Sequence, residues 1–113
     1  MELTNNLEIR LKERILTLQT GFYIYVGSAF GAGGLSSRIH RHLRRSKKQH
    51  WHIDQVTCTE NCTFYGVVIF PNEKSECLIS RKLEKFKELI PIIGFGNSDC
   101  KKSCLSHFYK IDL

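Results

Sequence analysis

The pattern of this chain predicts an α+β domain: a small, central, mostly antiparallel sheet flanked by helices. Strand-like runs come first, a helical stretch follows, further strands and a second helix come next, and a last strand closes the chain. A length of 113 residues points to one domain. Apolar content of 42% and charged content of 25% suit a packed core rather than a disordered chain.

Residues 7–11 alternate apolar and polar, as a half-buried strand does, and residues 14–18 form its hairpin partner. Gly21 breaks the pattern. Residues 22–26 are all β-branched or aromatic, the strongest strand signal in the chain, with Tyr23 and Tyr25 on one face. Gly31, Gly33 and Gly34 make a loop, and a helix starts near Leu35, with Leu35, Ile39 and Leu43 as its buried stripe. Residues 46–50 read as a basic connector into a short extended segment, His50-Trp51-His52-Ile53-Asp54. Residues 63–70 form another strand, stopped by Pro71-Asn72. A second helix covers residues 75–90, capped by Ser75, with Ile79, Leu83, Phe86 and Ile90 on its apolar face and Pro91 at its end. Gly94, Gly96 and Asn97 form a loop, and residues 105–111 make the last strand. There is no internal repeat and no low-complexity segment.

The net charge is +6, which favours a polyanionic partner. Its distribution says more. Arg38, Arg41, Arg44, Arg45, Lys47 and Lys48 lie close together, and no acid occurs between Ala29 and Ile53. Such a helix-borne cluster is a candidate nucleic-acid-binding surface, or else a solvated basic face. No apolar run reaches the roughly 18 residues that span a membrane, and the N-terminus lacks signal-peptide features, so a cytoplasmic protein without a membrane partner is expected.

The chemistry-bearing stretch runs from Tyr25 to His42. A tyrosine ends an apolar strand, and a helix then carries Arg38 and His42 one turn apart, on one face. Phenol, guanidinium and imidazole thus meet at one end of a strand–loop–helix unit, a candidate site for phosphodiester chemistry. A phenol with an ordinary pKa near 10 acts as a base only if nearby cations lower that value. A guanidinium can hold two phosphate oxygens in a fork. Glu76 opens the second helix, where the helix dipole alone would favour an acid.

His50, His52 and Asp54 alternate, so in a strand all three face one side. They read as a metal or phosphate site, or as a hydrogen-bonded structural cluster with Trp51 packed inward. Asp99 and His107 are candidates to join them. Five cysteines, an odd number, argue against a full disulfide framework. Cys58-x3-Cys62 and Cys100-x3-Cys104-x2-His107 approach zinc spacing, though x3 is less typical than x2. The alternatives are a Cys58–Cys62 or Cys100–Cys104 disulfide, unusual in a reducing cytosol, and small buried thiols.

Tyr25-Val26-Gly27-Ser28-Ala29 with Arg38 and His42 resembles the core of the GIY-YIG nuclease superfamily. Together with His50-Trp51-His52-Ile53-Asp54 and Gly94-Phe95-Gly96-Asn97-Ser98-Asp99-Cys100, it resembles the GIY-YIG-like DUF123 family, some of whose members are fused to endonuclease III, a DNA-repair glycosylase. The resemblance implies a GIY-YIG-like fold and a metal-dependent endonuclease acting on nucleic acid, DNA above all, in repair and in association with a glycosylase. It implies that Tyr25 is the tyrosine of the second half-motif and that Arg38 contacts the scissile phosphate. It also implies that His42 matches a histidine of part of the superfamily and that Glu76 binds one Mg²⁺ or Mn²⁺. The superfamily carries its first half-motif on a separate strand. Here Gly21-Phe22-Tyr23 shares a strand with Tyr25, and residues 1–20 contain no tyrosine. Met1-Glu2-Leu3 therefore reads as the tail of a truncated or absent first-motif strand, with Tyr23 as the substitute phenol. Two alternatives stand beside the nuclease: a noncatalytic basic nucleic-acid-binding module, and a small zinc-stabilised structural domain.

Overall fold

The computed structural model describes residues 1–27, 34–68, 76–96 and 104–113, and within α1 the Leu35 side chain is also left undescribed. Among them, β1 (Glu2–Leu3), β4 (Gly21–Tyr25), β5 (Cys62–Thr63), β6 (Leu89–Pro91) and β7 (Phe108–Ile111) form one sheet in the order β5-β1-β4-β7-β6. Every pairing in it is antiparallel. β2 (Leu7–Leu11) and β3 (Arg14–Leu18) make a separate hairpin, in register from Leu7↔Leu18 to Leu11↔Arg14. The described residues also hold three helices: α1 (Gly34–Leu43), α2 (Asp54–Thr57) and α3 (Glu76–Leu83). The predicted α+β class is the observed one.

The hairpin follows its sequence pattern. Ile9 and Leu11 are buried while Glu8 and Arg10 face out. Gln55 of α2 ties it to the body by acting as a short strand would: its Oε1 accepts from Arg10 N at 2.7 Å, and its Nε2 donates to Arg10 O at 2.8 Å. Leu3, Ile9, Leu18, Tyr23, Ile53, Val56, Phe95 and Phe108 form the core, with Tyr25 and Trp51 packed against it.

Four expectations need correction. Leu43 is 40% exposed, so it does not belong to a buried stripe of α1. The helix instead turns Arg38, Arg41 and His42 toward Trp51. The segment from His50 to Asp54 is a turn that enters α2, not a strand, because Asp54 N bonds to Trp51 O and Val56 N to Ile53 O. Residues 64–68 are not strand, and Ile69 to Ser75 lie outside the described residues together with the proposed Ser75 cap. α3 ends at Leu83, and residues 89–91 pair with β7. Ile90 and Pro91, expected at the end of a helix, form an edge strand, where a residue without an N–H is tolerated.

The last strand is also shorter than expected, beginning at Phe108. Ser106 explains this: its hydroxyl accepts from Phe108 N and donates to Phe108 O, both at 2.9 Å, a local alternative to ladder pairing. The bend brings His107 N onto Phe95 O at 2.8 Å and His107 O onto Val26 N at 2.9 Å. The chain around His107 is thereby set against the end of β4, where Tyr25 sits.

Candidate functional site

Tyr25 is the last residue of β4, and aromatic rings box its own ring in. His42 meets it edge-on at 5.7 Å between centroids, and Phe95 and Phe108 each lie at 6.5 Å. Two glycines make room. A Cβ on Gly27 would fall 2.8 Å from Tyr25 Cε2, and one on Gly96 would fall 3.6 Å from Cε1. Gly96 also holds a φ of +72°, which L side chains rarely adopt.

Charges surround this buried phenol. Desolvation pushes its pKa up to about 12; Asp54 and Glu76 add to the rise, while Arg38 and Arg41 oppose it. The two guanidiniums act to lower the value, but loss of solvent outweighs them. His42 gives no help as a cation. Burial, then the charge of Lys47, drives its pKa down to about 4, so it is neutral at pH 7. Tyr25, Arg38 and His42 nevertheless share one locality, and the charge of Glu76 reaches the phenol. Two of them carry an open hydrogen-bonding atom. His42 Nδ1 and Glu76 Oε2 are buried without a partner among the described residues. A buried polar atom left unpaired costs about 1–3 kcal/mol, so such atoms call for an explanation.

Tyr23 shares its face with Tyr25 as expected, yet its hydroxyl is already used. It donates to Gln19 O at 2.6 Å, and its ring stacks on Phe108 at 4.9 Å. Tyr23 is 1% exposed and serves the core.

The basic cluster divides in two. Arg41 grips Asp54 with both terminal nitrogens, each at 2.9 Å, and donates to Lys48 O at 3.0 Å. The Lys47 side chain is 2% exposed and donates to Arg41 O and His42 O while lying 3.9 Å from Asp54. Arg45 donates to Thr59 O and Cys62 O. These three cations staple α1 to the 48–62 segment. Arg44 and Lys48 remain exposed.

Asp54 is the hub. Its carboxylate also accepts from His50 N at 2.8 Å and Trp51 N at 2.9 Å. Burial alone would raise its pKa, but the Arg41 hydrogen bonds, those two N–H groups and the Arg41 charge hold it at about 2. Trp51 covers the ion pair, with Arg41 Cζ at 4.4 Å and Arg38 Cζ at 5.0 Å from its ring centre. The shared face expected for His50, His52 and Asp54 is absent, since the turn sends them apart. His52 Nδ1 accepts from Gly96 N at 3.0 Å, and His50 is exposed with its ring 5.3 Å from Trp51. Of the three, only the backbone N–H of His50 meets the Asp54 carboxylate. The signal was present in the sequence: Asp54 is the first acid after six nearby cations.

Neither expected disulfide forms, because Cys58, Cys62 and Cys104 are thiols. Cys77, which the spacing argument passed over, is disulfide-bonded. Asp99 and Cys100 lie outside the described residues. His107 is 5% exposed, and its Nε2 lies 3.1 Å from Cys104 Sγ.

The family described as "Domain of unknown function DUF123" matches residues 1–113. The chain belongs to the DUF123 family. No curated protein matches it closely enough to count as a relative, and no solved structure does so either. Among the described residues, no helix of this DUF123 domain is long and apolar enough to cross a membrane.

Proposed function

We propose that this DUF123 domain is a metal-dependent nucleic-acid endonuclease that hydrolyses phosphodiester bonds at Tyr25, Arg38, His42 and Glu76. One observation carries the reading: two buried atoms without a hydrogen-bond partner among the described residues, His42 Nδ1 and Glu76 Oε2, belong to groups that act on one boxed-in phenol, the His42 ring against it at 5.7 Å and the Glu76 carboxylate through its charge. A carboxylate oxygen without a hydrogen-bond donor suits a hard cation, and Mg²⁺ or Mn²⁺ is held by one or two carboxylates with waters and phosphate oxygens. When bound, the cation would neutralise charge developing on the phosphate. Arg38 would clamp the phosphate in its guanidinium fork, and Tyr25 would hold its proton at the phenol oxygen until a cation nearby lowers its pKa. Arg44 and Lys48 would extend the contact along the backbone of the nucleic acid. The resemblance to GIY-YIG nucleases supports the same residues, and it alone supports DNA as substrate and a repair glycosylase as companion.

One observation favours the noncatalytic binding module as a second reading. A phenol pushed up to about 12 keeps its proton at neutral pH and is no base without a cation. Cleavage of labelled single-stranded, duplex and branched DNA with Mg²⁺ or Mn²⁺ separates the two. Wild type should cut, and Arg38→Ala, Glu76→Ala and Tyr25→Phe should each lose at least about a hundredfold in rate. Salt-sensitive binding with no cutting under any metal would leave the binding module standing.

A further inference from the structure

One cluster of reactive side chains is not absorbed by that reading. Cys77 in the first turn of α3, Cys104, and His107 just before β7 bring a sulfur, a sulfur and a ring nitrogen within 4.8 Å of one another. Cys104 and His107 are buried, and their Sγ and Nε2 are 3.1 Å apart. This set differs from the one the cysteine spacing suggested. Cys58 and Cys62 are not part of the group, and the close pair Cys104-x2-His107 is joined by a residue from another element.

We propose that Cys77, Cys104 and His107 form a redox-gated zinc site that opens when the Cys77 disulfide is reduced. The donor set is the first argument. Two sulfurs and an imidazole prefer a borderline-soft ion to Mg²⁺ or Ca²⁺. Geometry is the second. Zn–S bonds of about 2.3 Å and a Zn–N bond of about 2.0 Å at tetrahedral angles put ligand atoms about 3.6–3.8 Å apart. The observed spread of 3.1 Å to at most 4.8 Å brackets that separation, so small side-chain rotations suffice. Three protein ligands leave a fourth position of the tetrahedron open.

The gate lies in the oxidation state. As a half-cystine, Cys77 has no thiolate to offer. A dithiol reductant supplies two electrons and two protons: the S–S bond breaks, Cys77 and the sulfur bonded to it each become a thiol, and the reductant closes its own disulfide. Zn²⁺ then displaces the thiol protons of Cys77 and Cys104 to solvent and takes the neutral ring nitrogen of His107. Because Cys77 follows Glu76 directly, the filled site would pin the first turn of α3 against the segment leading into β7. The proposal is independent of the hydrolytic reading, since zinc is counted without any nucleic acid.

The test uses the full chain, prepared reduced and oxidised, loaded with zinc and passed over a desalting column under inert gas. The reduced chain should carry about one Zn²⁺ by elemental analysis, and the oxidised chain almost none. Co²⁺ in place of zinc should show the near-ultraviolet thiolate charge-transfer band only in the reduced chain. Cys104→Ala and His107→Gln should each lower zinc retention at least about tenfold, whereas Cys58→Ser should leave it unchanged. Trp51 fluorescence reports whether each variant is folded, and the cobalt band reads sulfur ligation in the wild type alone. Equal zinc in both redox states, a cobalt spectrum without the thiolate band, or zinc lost on Cys58→Ser but kept in folded Cys104→Ala would overturn the proposal.

Discussion

Replacing Asp54 by Asn removes one charge and almost no volume, at the point where two cations are stapled to the fold. Asp54 is fully buried and accepts four hydrogen bonds, two from Arg41 and one each from His50 N and Trp51 N. In the variant the Asn amide aims a donor at the guanidinium, and the buried Lys47 side chain loses its counter-charge. Removing one partner of a buried ion pair costs about 3–5 kcal/mol. Arg41 is 21% exposed and can turn partly to water, so the expected loss is near the lower end, about 3 kcal/mol. The acid titration gives an independent figure. The carboxyl falls from 3.8 to about 2 on folding, and at 1.36 kcal/mol per unit the charged form is favoured by about 2 kcal/mol. The pKa is depressed, so this contribution is complete above pH 4 and is lost as pH falls through 2. Urea unfolding followed by Trp51 fluorescence is the assay, because the chain has one tryptophan and its ring covers the ion pair. A loss under about 1 kcal/mol at pH 7, or an unchanged wild-type-minus-variant difference between pH 4 and pH 2, would refute the reasoning.

Gly27→Ala should move the Tyr25 ring, reducing any cleavage at least about tenfold and stability by about 1–3 kcal/mol. Gly66→Ala, where a Cβ meets nothing within 4 Å, is the neutral control. If Gly27→Ala matches that control in rate, the close fit around the phenol is irrelevant. Arg44→Ala and Lys48→Ala should each reduce the salt dependence of nucleic-acid binding by about one phosphate contact. Lys47→Ala should instead lower the unfolding free energy by about 1–3 kcal/mol with the salt slope unchanged. The opposite pattern would return Lys47 to the binding surface. His42 should titrate near pH 4 by NMR, not near 6.5. The unfolded chain takes up this proton first, so stability should fall as pH drops from 6.5 toward 4, a step that His42→Ala abolishes. An ordinary His42 titration would show that the imidazole is solvated.

Local patterns in the sequence determined the hairpin, the β4 strand and the start of α1, since alternation and β-branching act over a few residues. The i, i+4 spacing also placed Arg38 and His42 on one face beside Tyr25, because helical geometry is local. The second helix was misjudged at its far end for a related reason: residues 84–90 keep a helical period, but pairing of Ile90 with Lys110 is a long-range choice. The same holds for charge. A run of six cations looks alike in sequence whether it faces solvent or a carboxylate, and only tertiary packing set Arg41, Arg45 and Lys47 to internal work and left Arg44 and Lys48 outside. Packing also decided the protonation of Tyr25 and His42, because removal from water is a property of the assembled core and outweighs the neighbouring cations that sequence spacing reveals. It likewise brought Cys77 close to Cys104 and His107, since side chains carried on separate elements meet only when the helix and the segment leading into the last strand are packed together.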